Sequence, residues 1–211
     1  MSQPLTVLIV EDNPVDAELT IRELQRAGFA PEWRRVDTEE AFLQHLDSKL
    51  DLVLSDYQMP RFDGLRALEL LRRSGLEVPL IIVSGTIGED TAVEAMKRGA
   101  ADYLLKDRLG RLGPVVLHAL EQTRLRRERN EAAAALRESE ERFATLFRSS
   151  PVALALISQN DGRLLDVNDA WVRLTGHARA ASVGRTPGEL NVIAPADHAR
   201  IFSALATSPR T

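Results

Sequence analysis

Cysteine is missing from all 211 residues. Its absence excludes disulfides, thiolate metal sites, a cysteine nucleophile and flavin–cysteinyl photochemistry, and it fits a reducing compartment. A strong charge imbalance is missing too. The net charge of -4 argues against a dedicated nucleic-acid binder. No run approaches the roughly 18 to 20 apolar residues of a membrane span, and Met1-Ser2-Gln3-Pro4 carries no basic signal-peptide start. There is no internal repeat, and the only biased stretch is Ala132 to Ala135. What remains, 44% apolar and 27% charged residues, is ordinary for globular protein and enough for one large domain or two small ones. A cytoplasmic chain that binds neither nucleic acid nor membrane is expected.

Short apolar runs alternate with helical patterns through the first half. Thr6 to Val10 reads as a buried strand stopped by Glu11-Asp12-Asn13-Pro14, with Pro14 in the first turn of a helix. Leu19, Leu24 and Ala27 suit the apolar face of that helix, and Gly28 ends it. A strand over Glu32 to Val36 precedes a helix capped by Asp37-Thr38-Glu39-Glu40 and running through Leu46. Leu52 to Ser55, Leu80 to Val83 and Tyr103 to Leu105 are the remaining strands, with helices over Gly64 to Arg73 and Glu89 to Arg98 between them. Strands that are apolar throughout and alternate with helices imply an α/β fold, a five-stranded parallel doubly wound sheet. Sites in such folds lie beyond the carboxyl ends of the strands, which points to Glu11, Asp12, Asp56, Ser84 and Lys106.

Those five residues form a chemical set. Glu11, Asp12 and Asp56 would repel one another unless neutralised, and a hard divalent cation with oxygen ligands is the natural partner. Lys106 adds a point charge and Ser84 a hydroxyl donor. Such a set suits a carboxylate that attacks phosphorus while Mg²⁺ and lysine absorb charge on the equatorial oxygens. A lone Asp after a strand is usually a cap or loop residue. Five polar groups after four strands of one sheet are a poor fit to coincidence.

At these residues the chain resembles the receiver domain of response regulators. The matching elements are Glu11-Asp12, Asp56-Tyr57-Gln58-Met59-Pro60 with Asp63-Gly64, Ser84, and Ala101-Asp102-Tyr103-Leu104-Leu105-Lys106, spanning roughly residues 4 to 125. The resemblance implies a flavodoxin-like receiver in which Asp56 is the phosphoacceptor. It implies that Asp12, Asp56 and the main-chain carbonyl of Gln58 ligate Mg²⁺ (or Mn²⁺), with Glu11 joining directly or through water. Lys106 would pair with the phosphoryl group, Ser84 would turn toward it, and Tyr103 would be the switch aromatic. Gln58 and Thr86 would tune the lifetime of the acyl phosphate. The implied partner is a cognate histidine kinase or phosphotransfer protein. Two positions depart from the family. Asp107 follows the lysine where proline is usual, so a cis bond there would lack proline's help and cost about 3 kcal/mol. Ser84 replaces the commoner threonine, which loosens the rotamer.

After Gly113-Pro114, Val115 to Phe147 reads as one long helix. With Gln122, Arg129, Leu136 and Phe143 at a and Leu125, Ala132, Ser139 and Leu146 at d, it carries a heptad that is poor in the middle and sound toward its end. A homodimer through this linker helix is expected. The rest resembles the start of a PAS sensory domain, through Glu141-Arg142-Phe143, Phe147, Ser149-Ser150-Pro151-Val152, Asp161-Gly162-Arg163 to Asn168, Trp171 and Thr175-Gly176-His177. The expected hairpin joins Val152 to Ile157 with Arg163 to Val167. Nothing after Ala194 suggests the strands that complete that fold, so a partial α+β PAS domain and an N-terminal fragment of a larger hybrid protein are expected. The expected layout is a receiver over 1–112, with its last helix continuing to about 125, a signalling helix over 113–147, and the PAS part over 148–211.

His177 and His198 fit no haem-ligand pattern. Arginines from Arg124 to Arg129 alternate with Glu121 and Glu128 and read as a solvated face. No autokinase histidine box or Gly-rich nucleotide block occurs, so the chain itself is expected not to be an enzyme beyond its own phosphotransfer and dephosphorylation. An output enzyme would lie past residue 211. Three rivals stay open: an aspartyl-nucleophile phosphohydrolase, which would want a second Asp where Gln58 stands; a flavodoxin-like FMN binder, whose phosphate Glu11-Asp12 would repel; and a receiver that serves only as a scaffold.

Overall fold

Each apolar run of the first half becomes a strand, and each stops where a charged or capping residue begins. The computed structural model describes residues 2–60, 62–85 and 89–193. Its first five strands are β1 (Gln3–Val10), β2 (Phe29–Val36), β3 (Leu52–Asp56), β4 (Leu80–Ser84) and β5 (Asp102–Leu105). All pair in parallel, in the order β2-β1-β3-β4-β5. Three strands, β1, β2 and β5, start earlier than periodicity alone suggests. β2 holds Pro31 opposite Leu5, which is tolerated because β2 is an edge strand whose outer side needs no ladder bond.

Five helices cover the sheet: α1 (Pro14–Arg26), α2 (Glu39–His45), α3 (Gly64–Ser74), α4 (Glu89–Arg98) and α5 (Leu112–Ser149). Asn13, Thr38 and Asp63 cap the first three by accepting the backbone N–H groups of Val15, Ala41 and Arg66. Period-two alternation sends strand side chains to opposite faces. Val7, Ile9, Leu54 and Ile81 pack with Ala17, Ile21 and Leu24 of α1 and Leu112 and Val116 of α5. Leu8, Val10, Val53 and Ile82 pack with Phe42 of α2, Leu68 and Leu71 of α3 and Ala95 of α4. The α1 stripe differs from the expected one. Leu19 is exposed, and the buried positions are Ala17, Thr20, Ile21 and Leu24. Thr20 is accommodated because its hydroxyl donates to the carbonyl of Asp16 at 2.9 Å.

α5 is a single 38-residue helix in which the last helix of the sheet domain and the linker are continuous. Pro114 does not break it, because in the first turn a missing N–H costs no intrahelical bond. Gly113 is needed for contact, since a Cβ there would lie 2.5 Å from the Ala27 Cβ. The chain divides into two compact units, Met1–Glu131 and Ala132–Thr211. In the first, Arg127 donates to the Glu77 carbonyl and Asn130 to the Glu77 carboxylate, which fastens α5 to the loop before β4.

The second unit contains an antiparallel pair, β6 (Ala155–Ile157) and β7 (Leu164–Val167), then α6 (Asp169–Thr175) and α7 (Arg179–Ser182). β6 is shorter than expected. Asn168 organises this unit from full burial: its Oδ1 accepts the N–H groups of Leu154 and Trp171, and its Nδ2 donates to the Val152 carbonyl. Leu164, Val167 and Leu190 form its core, with Trp171 packed against them. No helix among the described residues is long and apolar enough to cross a membrane.

Candidate functional site

Strand register brings the polar residues together. Val10 pairs with Ser55, Asp56 with Val83, and Ser84 with Leu105. Glu11, Asp56, Ser84 and Lys106 therefore sit side by side along the carboxyl edge of the sheet. Carboxylate oxygens of Glu11, Asp12 and Asp56 all lie within 4.8 Å of one another. Across that cluster, Lys106 Nζ donates to Asp56 Oδ2 at 2.7 Å and to Glu11 Oε2 at 2.8 Å.

The surrounding backbone fixes these groups. Gly64 opens α3 directly beneath Asp56, where a Cβ would lie 2.7 Å from the Asp56 carbonyl oxygen. That approach explains the glycine after the Asp63 cap. Gln58 N–H donates to Asp56 Oδ1 at 3.2 Å, holding the carboxylate, while the Gln58 side chain is exposed. Ser84 is buried as the last residue of β4, and Tyr103 is half-buried as the second residue of β5. Thr86, expected to tune lifetime, lies outside the described residues. The chain after Lys106 turns as a 3-10 segment, Lys106–Arg111, and no cis peptide occurs among the described residues, including before Asp107.

Electrostatics follow from burial. Glu11 is 4% exposed. Burial raises its pKa and outweighs the hydrogen bond from Lys106 that would lower it. For Lys106 burial opposes the charge, but hydrogen bonds to Asp16, Asp56 and Glu11 outweigh it and hold the pKa above the ordinary lysine value. The ammonium stays charged and Glu11 ionises at a cost.

Two residues of this site are not apparent from the sequence. Asp16, in the first turn of α1, accepts from Lys106 Nζ at 2.6 Å. Arg35, near the end of β2, donates to the Glu11 carbonyl at 2.8 Å and braces the acidic loop. An Asp in a first helical turn reads as a dipole partner, and an Arg on an edge strand as solvated surface. Only the parallel packing turns both inward. His177 meets the Leu190 carbonyl through Nε2 at 3.0 Å, and His198 lies outside the described residues.

A family model described as the response regulator receiver domain matches residues 7–112. The chain belongs to that family. A PAS domain model matches residues 141–207. The nitrogen assimilation regulatory protein NtrX of Azorhizobium caulinodans is 36% identical over 125 residues, covering 58% of this chain and 27% of that protein. Response regulator protein FleR of Pseudomonas aeruginosa is 40% identical over 119 residues, covering 55% and 25%. The chain thus spans only about a quarter of the length of these curated relatives. Among solved structures, NtrX from Brucella abortus superposes with a TM-score of 0.52 at 29% identity, covering 63% of this chain and 30% of that one. A receiver domain protein from Clostridium thermocellum shares the fold, with a TM-score of 0.50 at 24% identity, covering 57% and 98%. This receiver, followed by a PAS domain, belongs to two-component signal transduction.

Proposed function

We propose that Asp56 accepts a phosphoryl group from a phosphohistidine on a cognate kinase or phosphotransfer protein. The observation that carries this reading is the contact of Lys106 Nζ with Asp56 Oδ2 at 2.7 Å inside the acidic cluster. A carboxylate oxygen of Asp56 attacks phosphorus, the O–P bond forms, and the N–P bond breaks with its electron pair leaving on the imidazole, which then takes a proton. Lys106 neutralises charge on the phosphoryl oxygens, and Ser84 supplies a hydroxyl beside them.

The donor set fits a divalent cation. It is all oxygen, it gathers three carboxylates within 4.8 Å, and Lys106 is the one ammonium contacting it among the described residues. Asp12, Asp56 and the Gln58 carbonyl would hold Mg²⁺ or Mn²⁺, with Glu11 direct or through water. When bound, the ion lends Lewis-acid stabilisation to the charge developing on the transferred group.

Phosphorylation then shifts a two-state equilibrium at Ser84 and Tyr103, and α5 relays it toward the PAS part and an output module. The layout that goes with this reading is a receiver over 1–112, its last helix reaching about 125, a signalling helix over 113–147 and the PAS part over 148–211. We place the protein in the cytoplasm, as a homodimer through α5. Intact-mass spectrometry after treatment with acetyl phosphate and Mg²⁺ tests the core of it: wild type gains one phosphoryl group and Asp56→Asn gains none.

A further inference from the structure

Phosphoacceptor chemistry at Asp56 leaves one side chain of the pocket without a role. Asp16 is presented by a rigid element, since Asn13 caps α1, Pro14 starts it, and Ala17, Thr20 and Ile21 bury its inner face. Its Oδ2 takes Lys106 Nζ at 2.6 Å, the shortest of three contacts beside 2.7 Å to Asp56 and 2.8 Å to Glu11. An ammonium has three protons, so these three carboxylates account for all of them. The Asp16 side chain is also the most open of the three, 31% exposed against 11% for Asp56 and 6% for Glu11. By that exposure it is the one of the three nearest the rim.

From this geometry we infer that Asp16 is a positioning residue that competes with the phosphoryl group for Lys106, and so limits how strongly Asp56 holds phosphate. The inference rests on the phosphoacceptor reading above. A phosphoryl group on Asp56 brings new anionic oxygens that need the ammonium. Asp16 opposes this in two ways. It draws Nζ toward the rim, and it places a fixed negative charge one ammonium away from the oxygen being phosphorylated. Glu11 cannot play this part, because it is buried and held at the strand end, where the cation would share it. Removing the charge at position 16 should therefore favour the phosphorylated form.

Beryllofluoride, a phosphoryl mimic that needs Mg²⁺ but no covalent step, provides the test on the full chain. Bound fluoride is read by ¹⁹F NMR titration for wild type, Asp16→Asn, Asp16→Ala and Asp16→Glu, with thermal unfolding as a check of folding. Asp16→Asn and Asp16→Ala are expected to bind the mimic about threefold to tenfold more tightly than wild type, the size of a partly exposed charge-assisted contact. Asp16→Glu, which keeps the charge, returns toward wild type. Mg²⁺ affinity without the mimic should hold or fall, because an anion has left the pocket. A merely structural role in the first turn of α1 would lower thermal stability without tightening binding. Binding by Asp16→Asn no tighter than wild type overturns the inference, as does a rise in Mg²⁺ affinity that matches the tightening. A wild type with no bound signal overturns the phosphoacceptor reading itself, and the inference with it.

Discussion

Lys106 Nζ lies 2.7 Å from Oδ2 of Asp56, although the two residues are 50 positions apart in the chain. The parallel sheet makes this contact by aligning the ends of β3, β4 and β5. Because Lys106 is the cation beside the proposed acceptor, Lys106→Ala should slow phosphorylation by about a hundredfold or more while Mg²⁺ still binds. Asp12→Ala should instead abolish Mg²⁺ binding itself, by removing a proposed anionic ligand, and phosphorylation with it. Calorimetric Mg²⁺ titration and phosphodonor kinetics on both variants separate the roles. Wild-type Mg²⁺ affinity in Asp12→Ala would contradict the metal assignment.

Glu11 makes stability depend on pH. Its folded pKa is raised from 4.5, chiefly by burial. A raised folded value means the folded state binds the proton more readily, so this contribution is full below the unfolded pKa and is lost as pH rises through the folded one. Glu11→Gln should therefore melt higher than wild type in EDTA at neutral pH, and the gap should close as pH falls through and below 4.5. Saturating Mg²⁺ should narrow it at neutral pH. Thermal unfolding of both proteins across that range gives the answer.

Gly64 couples fold to site. A methyl group there meets the Asp56 carbonyl at 2.7 Å, and that neighbour is backbone, so something must move. Gly64→Ala should cost about 1 to 3 kcal/mol by overpacking and should slow phosphorylation as Asp56 shifts. Urea unfolding and phosphodonor kinetics are expected to change together. A variant as stable as wild type would refute the close approach.

The site residues legible in the sequence were those that follow strands, because a parallel sheet always gathers its strand ends along one edge. Glu11, Asp12, Asp56, Ser84 and Lys106 all belong to that class. Asp16 and Arg35 reach the site through helix and edge-strand packing, which has no local signature. Leu19 shows the same limit within α1. It matches a helical spacing with Leu24, but the face that packs runs through Ala17, Ile21 and Leu24, and Thr20 joins it only because Asp16 satisfies its hydroxyl. Pro31 obscured the start of β2, since proline is compatible with a strand only at an edge, and edge position is a property of the assembled sheet.

Leu125, Leu136, Phe143 and Leu146 of α5 are each 46% exposed or more. Pairing with a second copy would bury them, at about 1.5 to 3 kcal/mol for each side chain fully covered. Light scattering at tens of micromolar should give a dimer for wild type and a monomer for the Leu136→Glu/Phe143→Glu double variant. A monomeric wild type, or a double variant that stays fully dimeric, would refute pairing through α5.

The most direct measurement locates the phosphoryl group itself. The full chain is treated with acetyl phosphate and Mg²⁺, reduced with borohydride, which converts an aspartyl phosphate to homoserine, and mapped by peptide mass spectrometry. Homoserine should appear at position 56 alone, and not at all when Mg²⁺ is withheld. Conversion at any other aspartate, or phosphoryl label that persists in Asp56→Asn, would contradict the assignment of Asp56 as the acceptor.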